Sequence, residues 1–86
     1  MRQEPDFFGD AELCLLYIAK KLKEALALEE ALTRSEIDYL VETDTYRGGM
    51  IFVSERVGAF FYVLPDRVDA AREVAVANGY RPYEHK

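Results

Sequence analysis

Two apolar runs, separated by a short polar break, occupy the centre of the sequence at residues 50–65. Both runs are rich in β-branched and aromatic residues and the break contains Gly58, a pattern typical of a β-hairpin. Successive side chains of a strand point to opposite sides, so Phe60 and Tyr62 would face one way and Phe61 the other. Because both sides are apolar, we expect something to cover each face of the sheet. The chain's own helices can cover one face, and the other would need a partner, a ligand or a second copy of the chain.

Hydrophobic periodicity predicts the remaining elements. The continuous apolar run within residues 12–19 favours a buried strand, although one long helix over residues 10–34 stays open as an alternative, because periodicity alone does not separate the two. The other predicted elements are a helix over 21–33, a strand over 37–42, a loop over 43–49, a helix over 67–78 and an optional edge strand over 80–83.

Each predicted helix carries an apolar stripe at helical spacing, which should face the sheet. In the first helix the stripe comprises Leu22, Ala25, Leu26, Glu29 and Leu32, with Leu28 at its edge. In the second helix it comprises Val68, Ala71, Val74 and Ala75, residues small enough for a close approach to the sheet.

The resulting order, β-α-β-β-β-α with an optional short last strand, predicts an α+β fold with two helices on one face of an antiparallel-rich sheet. Connections of this length favour the ferredoxin-like α/β sandwich, which is built on a split β-α-β unit. We predict one domain over residues 12–83, a flexible arm over 1–11 whose Phe7 and Phe8 dock on the body, and a tail over 84–86.

Composition narrows the function classes. With 86 residues the chain is one small domain, and its net charge of −5 gives no electrostatic reason to bind nucleic acid. The longest apolar run is too short to span a bilayer. We expect no signal peptide, because the amino terminus lacks a basic segment followed by an apolar core. The single cysteine cannot form an internal disulfide, so we expect a reducing, cytoplasmic setting.

Several segments are similar to those of a known family, namely residues 16–19, 25–32, 35–39, 56–63, 71–74 and 78–80. With these segments the chain resembles small bacterial signal-transducing domains of unknown function, whose fold is similar to that of the nitrogen-regulatory PII proteins and the ACT domains. The resemblance implies that PII-like fold and a regulatory role. It implies no nucleotide binding, because the loops that serve this purpose in PII proteins have no match here. Ser35 and Glu36 depart from the family, which usually has Ala-Gly before the isoleucine.

A candidate ligand site lies beside the predicted hairpin. Gly48 and Gly49 could present backbone N–H groups, and Arg47 and Arg56 could hold a carboxylate or phosphate. Ordinary turn chemistry explains the same glycines, and neither cluster is a phosphate-binding loop motif. A small anionic metabolite is therefore the alternative ligand hypothesis.

Other reactive residue types carry weaker signals. Cys14 lies in an apolar run and is expected to be a small core residue. His85 is the only histidine, so no transition-metal site of the usual kind is predicted. Asp38 and Glu42 would share a strand face and could act as paired carboxylates, but no nucleophile or metal is predicted beside them.

These observations favour a small, non-enzymatic regulatory or protein-interaction domain with no cofactor. We expect it to act as a homo-oligomer, or with a protein partner, through an apolar sheet face that includes Phe52, Phe60, Phe61 and Tyr62.

Overall fold

The fold comes from a computed structural model, which describes residues 1–48 and 54–83 and, for side chains, residues 1–43 and 58–83. In chain order the elements are α1 (Pro5–Phe8), β1 (Cys14–Ala19), α2 (Leu22–Arg34), β2 (Leu40–Gly48), β3 (Ser54–Val63), a single 3-10 turn (Pro65–Arg67) and α3 (Val68–Ala77). Several predictions lie outside the described residues, namely those for Gly49, Phe52, His85, the strand segment over 50–53 and the tail over 84–86.

The three strands form one sheet in the order β1-β3-β2, and both neighbouring pairs are antiparallel. β1 and β2 therefore run in the same direction on either side of β3, and α2 connects them. The predicted α+β class is confirmed, because the chain combines helices with a three-stranded antiparallel sheet.

The described hairpin strands are β2 and β3, and not the two halves of residues 50–65. β3 continues through the predicted polar break, where Gly58 pairs with Asp44. The predicted loop over 43–49 is also wrong, since β2 extends to Gly48. Threonine, tyrosine and valine favour strands, and cross-strand pairing along the whole of β2 outweighs the turn preference of one glycine.

The run that contains β1 is a strand, which excludes the alternative of one long helix, although β1 begins at Cys14 rather than at residue 12. Its register against β3 shifts between Leu15 and Tyr17, so Leu16 lies at a β-bulge and is fully buried. Leu16 belongs to the core and Tyr17 packs against it, whereas Leu15 is outside the core cluster. The bulge therefore explains why the consecutive residues Leu16 and Tyr17 both lie on the core side of β1.

α2 is rotated relative to its predicted orientation. Leu28 and Leu32 are fully buried against the sheet, whereas Leu22 is 74% exposed and Leu26 is 56% exposed. Ala25, Leu28 and Leu32 form a stripe at the same helical spacing as the predicted one, so spacing alone could not choose between the two. Packing against Phe61 and its neighbours in the core cluster selects the observed stripe.

α3 lies against the core through small side chains, as predicted. Ala71 and Ala75 are fully buried, and Val68 and Val74 are partly buried against the same cluster. The absence of long side chains at these positions lets the helix axis approach its neighbours closely. α2, α3 and one face of the sheet therefore share a single core.

The segment before β1 is docked on the body, through backbone hydrogen bonds to the residue before β2. The N–H of Gln3 donates to the carbonyl of Tyr39 at 2.8 Å, and the N–H of Tyr39 donates to the carbonyl of Met1 at 3.0 Å. Phe8 is buried as predicted, whereas Phe7 is 55% exposed. Residues 1–11 also contain the one-turn helix α1, whose first residue is a proline, a position where proline costs no hydrogen bond.

The C-terminal segment lies beside β1 but is not assigned as a strand. The N–H of Tyr83 donates to the carbonyl of Leu16 at 2.7 Å. The ring of Tyr80 packs against that of Tyr17, with centroids 5.5 Å apart. These two contacts hold the chain that follows α3 against the free edge of β1.

Candidate functional site

One face of the sheet packs on the helices, and the opposite face is the candidate functional surface. The register aligns Leu15, Tyr62 and Leu40 in one row across the three strands. It aligns Ile18, Phe60 and Glu42 in the next row. Residues in register on neighbouring strands share a face of the sheet. We call these residues the outer face: Leu15, Ile18, Leu40, Glu42, Phe60 and Tyr62.

Burial along β3 alternates as this arrangement requires. Phe61 and Val63 are fully buried in the helix-side core, whereas Phe60 and Tyr62 are half-buried and lie outside that cluster. Of the predicted interface residues, Phe60 and Tyr62 therefore lie on the outer face. Phe61 instead packs against Tyr39, with ring centroids 5.8 Å apart, so its side chain stabilises the core and is not offered to a partner.

Leu15, Ile18 and Leu40 belong to the outer face but are not among the predicted interface residues. The signal for the first two was the continuous apolar run in β1, since a strand that is apolar on both sides presents residues to both faces of its sheet. Leu40 shares its predicted strand face with Asp38 and Glu42, so the sequence pattern does not mark it as part of an apolar surface. The structure buries it to 8% exposure beside Tyr62.

The outer face is not flat. A shallow recess of about 330 Å³ lies between Leu13, Leu40, Glu42 and Tyr62. Its walls are a leucine on either side, a tyrosine ring and one exposed carboxylate. Such a recess can accept an apolar side chain from another molecule. Among these four lining residues, Glu42 is the only charged one.

The predicted anion site falls at the end of the hairpin formed by β2 and β3. Arg47 and Gly48 lie on β2, and Arg56 lies on β3. In the register Arg47 pairs with Glu55 and Arg56 with Tyr46, so the two arginines occupy successive rows of the ladder. Successive rows belong to opposite faces of a sheet, so the register does not bring the two arginines to one face, and an anion site there stays a prediction.

The predicted paired carboxylates have separate surroundings. Asp38 precedes β2 and is engaged by the N-terminal segment: it accepts a hydrogen bond from Gln3 Nε2 at 3.1 Å and lies 3.8 Å from the amino group of Met1. Glu42 is exposed on the outer face. Cys14, predicted to be a core residue, is half-buried at the start of β1 and is not part of the core cluster.

Within residues 1–48 and 54–83, no group of three or more histidine, cysteine, aspartate or glutamate side chains is placed to hold a metal ion. In this same part of the chain, no helix has both the length and the apolar character that crossing a membrane requires.

No family model matches the chain, and no curated protein or solved structure matches it either. The likeness to bacterial signal-transducing domains therefore rests on the residue pattern alone, and the regulatory role that it implies stays a prediction.

Proposed function

We propose that this protein is a small, non-enzymatic regulatory or protein-interaction domain that acts as a homo-oligomer, with the outer face as its subunit contact. The observation that carries the proposal is the pair of rows across the sheet, in which four apolar or aromatic side chains are only partly buried and lie outside the helix-side core, namely Leu15, Ile18, Phe60 and Tyr62. Leu40, in the same rows, is already buried within the chain. An apolar surface of this kind is stabilised when it is removed from water.

The polarity of the outer face favours a second copy of the chain as its occupant. In a two-fold contact the same patch lies on both sides, so the patch has to complement itself. Apolar rows do so without opposite charges. Glu42 lies on the edge strand β2, so a two-fold axis near Phe60 and Tyr62 on the central strand places both Glu42 carboxylates at the rim. The recess beside Tyr62 gives the second copy a place to insert an apolar side chain.

The same proposal includes a ferredoxin-like arrangement of the sheet. Its support is the order β1-β3-β2 with α2 between β1 and β2, which is a split β-α-β unit. The hydrogen bond from Tyr83 to Leu16 supports it further, because it holds the C-terminal segment at the edge of β1 where a fourth strand would pair. In such folds one sheet face is covered by helices and the other is available for assembly.

A charge on the central strand tests the proposed contact. We expect Phe60→Glu to be monomeric in sedimentation velocity, because it would bury a carboxylate at the centre of the contact. The matched control is Leu26→Glu, which places the same charge on an exposed apolar residue of α2 and should sediment like the wild-type oligomer. Far-UV circular dichroism checks that both variants are folded. Oligomerisation of Phe60→Glu equal to that of the wild type would refute the outer face as the contact.

The alternative proposal is a sensor for a small anionic metabolite near Arg47, Gly48, Gly49 and Arg56. Its motivation is the two arginines and the glycine pair in the sequence, and the register adds no support, because Arg47 and Arg56 occupy successive rows, which belong to opposite faces of a sheet. Thermal stabilisation by phosphate or citrate should then be lost in Arg47→Ala and Arg56→Ala. Equal thermal shifts in the wild type and both variants would rule it out.

A further inference from the structure

A cleft of about 390 Å³ lies at the edge of the sheet that β1 forms. It is formed where β1 ends, α2 begins and the C-terminal segment returns along the sheet. Its lining residues are Tyr17, Ile18, Lys20, Glu24, Arg81 and Tyr83. A cleft of this volume is at the small end of the range for ligand sites, so it suits a molecule of modest size.

The walls of the cleft are held by contacts between distant parts of the chain. Tyr83 is fixed to β1 by its backbone hydrogen bond to Leu16 at 2.7 Å. Tyr17 is fixed on two sides, because its ring packs on Tyr80 at 5.5 Å and its hydroxyl donates to Glu24 Oε2 at 3.4 Å. The ring of Tyr17 is therefore held by contacts on two sides, and the backbone of Tyr83 is held beside β1.

The polar part of the lining carries more positive than negative charge. It contains the cations Lys20 and Arg81 and one carboxylate, Glu24. Glu24 already accepts hydrogen bonds from the Tyr17 hydroxyl and, at 3.2 Å, from the backbone N–H of Lys20. Arg81 has no ion pair with any residue that the structure describes. In a chain with 16 acidic and 11 basic residues, a cleft with this balance is a local exception.

We propose that this cleft is a binding site for a small aromatic monocarboxylate. Arg81 offers a planar guanidinium, which pairs with a planar carboxylate through two parallel hydrogen bonds. The aromatic residues Tyr17 and Tyr83 in the lining offer apolar surface for a flat ring. A single negative charge matches two cations that share the cleft with Glu24, whereas a dianion would be repelled by that carboxylate more strongly. Ile18 also belongs to the outer face, so the cleft lies at the border of that surface.

Fluorine NMR with 4-fluorobenzoate as the probe tests this site on the full chain. We expect saturable broadening and shift of the probe signal with the wild type, and at least tenfold weaker binding to Arg81→Gln. The matched control is Arg34→Gln, which removes the same charge from an exposed ion pair with Glu30 at the far end of α2 and should bind like the wild type. Tyr83→Ala, which keeps the backbone hydrogen bond, should also bind more weakly because it removes one aromatic wall.

Two probe controls separate the parts of the ligand. The neutral 4-fluorobenzamide keeps the ring but lacks the charge, and trifluoroacetate keeps the charge but lacks the ring. If binding requires both the ring and the carboxylate, both probes should bind at least tenfold more weakly than 4-fluorobenzoate. The proposal is overturned if the wild type does not bind 4-fluorobenzoate, or if Arg81→Gln binds it as tightly as Arg34→Gln does.

Discussion

The backbone N–H of Ile37 donates to the carbonyl of Leu32 at 3.0 Å, and this hydrogen bond closes the C-terminal end of α2. Inside it, the N–H of Glu36 donates to the carbonyl of Thr33, also at 3.0 Å. Together the two bonds form a Schellman motif, in which the residue after the helix cap adopts the left-handed conformation. Glu36 has φ +58°, although it carries a side chain, and Ile37 and Leu32 are both buried beside it.

Glu36→Gly should therefore stabilise the fold. A side chain in the left-handed region costs about 1–2 kcal/mol, of which glycine returns part through its greater freedom in the unfolded chain. We expect a net gain of about 1 kcal/mol in the free energy of unfolding, measured by urea denaturation. Glu36→Ala is the control, because it removes the same charge but keeps a Cβ and should show no such gain. A glycine variant no more stable than the alanine variant would argue against the strained position.

Phe60 and Phe61 are neighbours in sequence but lie on opposite faces of the sheet. Truncating each of them to alanine should therefore lower the free energy of unfolding by different amounts. Phe61→Ala should lower the free energy of unfolding by about 3–5 kcal/mol, because it leaves a cavity in the core beside Tyr39. Phe60→Ala should lower it clearly less when measured below the concentration at which the chain self-associates, because Phe60 is partly exposed in the single chain. Urea denaturation of both variants at the same protein concentration checks this. Equal losses would contradict the assignment of Phe60 to the outer face.

The stability of the fold should fall in alkaline solution, partly through Tyr17. Burial, and then the negative charge of Glu24, raise the pKa of Tyr17 above its ordinary value of 10.0, and a hydrogen bond to Glu24 and the nearby Tyr80 act in the same direction. Below the ordinary pKa, Tyr17 keeps its hydroxyl proton in both the folded and the unfolded chain. As the pH rises from there toward the folded pKa, the unfolded chain loses its proton first, so unfolding becomes more favourable.

Tyr17→Phe tests this cause because phenylalanine does not titrate. The variant should lose less stability than the wild type between about pH 8 and about pH 11, measured by urea denaturation at each pH. Some loss will remain, since burial also raises the pKa of Tyr39. An identical loss in the two proteins would show that Tyr17 titrates alike in the folded and unfolded chains.

The sequence predicted the class of fold because its strongest signals are local. The apolar run in β1 and the small-residue stripe of α3 each match the structure. It did not predict the rotation of α2, because Leu22 and Leu26 repeat at helical spacing just as Leu28 and Leu32 do, and packing with the sheet decides between them. The extent of β2 and β3 was also missed, since a glycine that pairs within a ladder cannot be told from one in a turn without knowing its partner strand.

The outer face was predicted in part. The doubly apolar strand pointed correctly to a second sheet face, and Phe60 and Tyr62 lie on it. Which of the three consecutive aromatic residues enters the core depends on the face that the helices cover, and this assigns Phe61 to the core. The cleft gave no signal in the sequence, because Tyr17, Glu24 and Arg81 come together only when the C-terminal segment returns to β1.

The mass of the wild-type protein in solution, measured by light scattering from low micromolar to millimolar concentration, tests the proposed self-association most directly. One chain has a mass of 9.9 kDa. A second copy on the outer face requires a mass of at least twice that value, reached at micromolar concentration and retained on further concentration. A mass of 9.9 kDa over the entire range would contradict the proposed function and would leave the outer face without its proposed occupant.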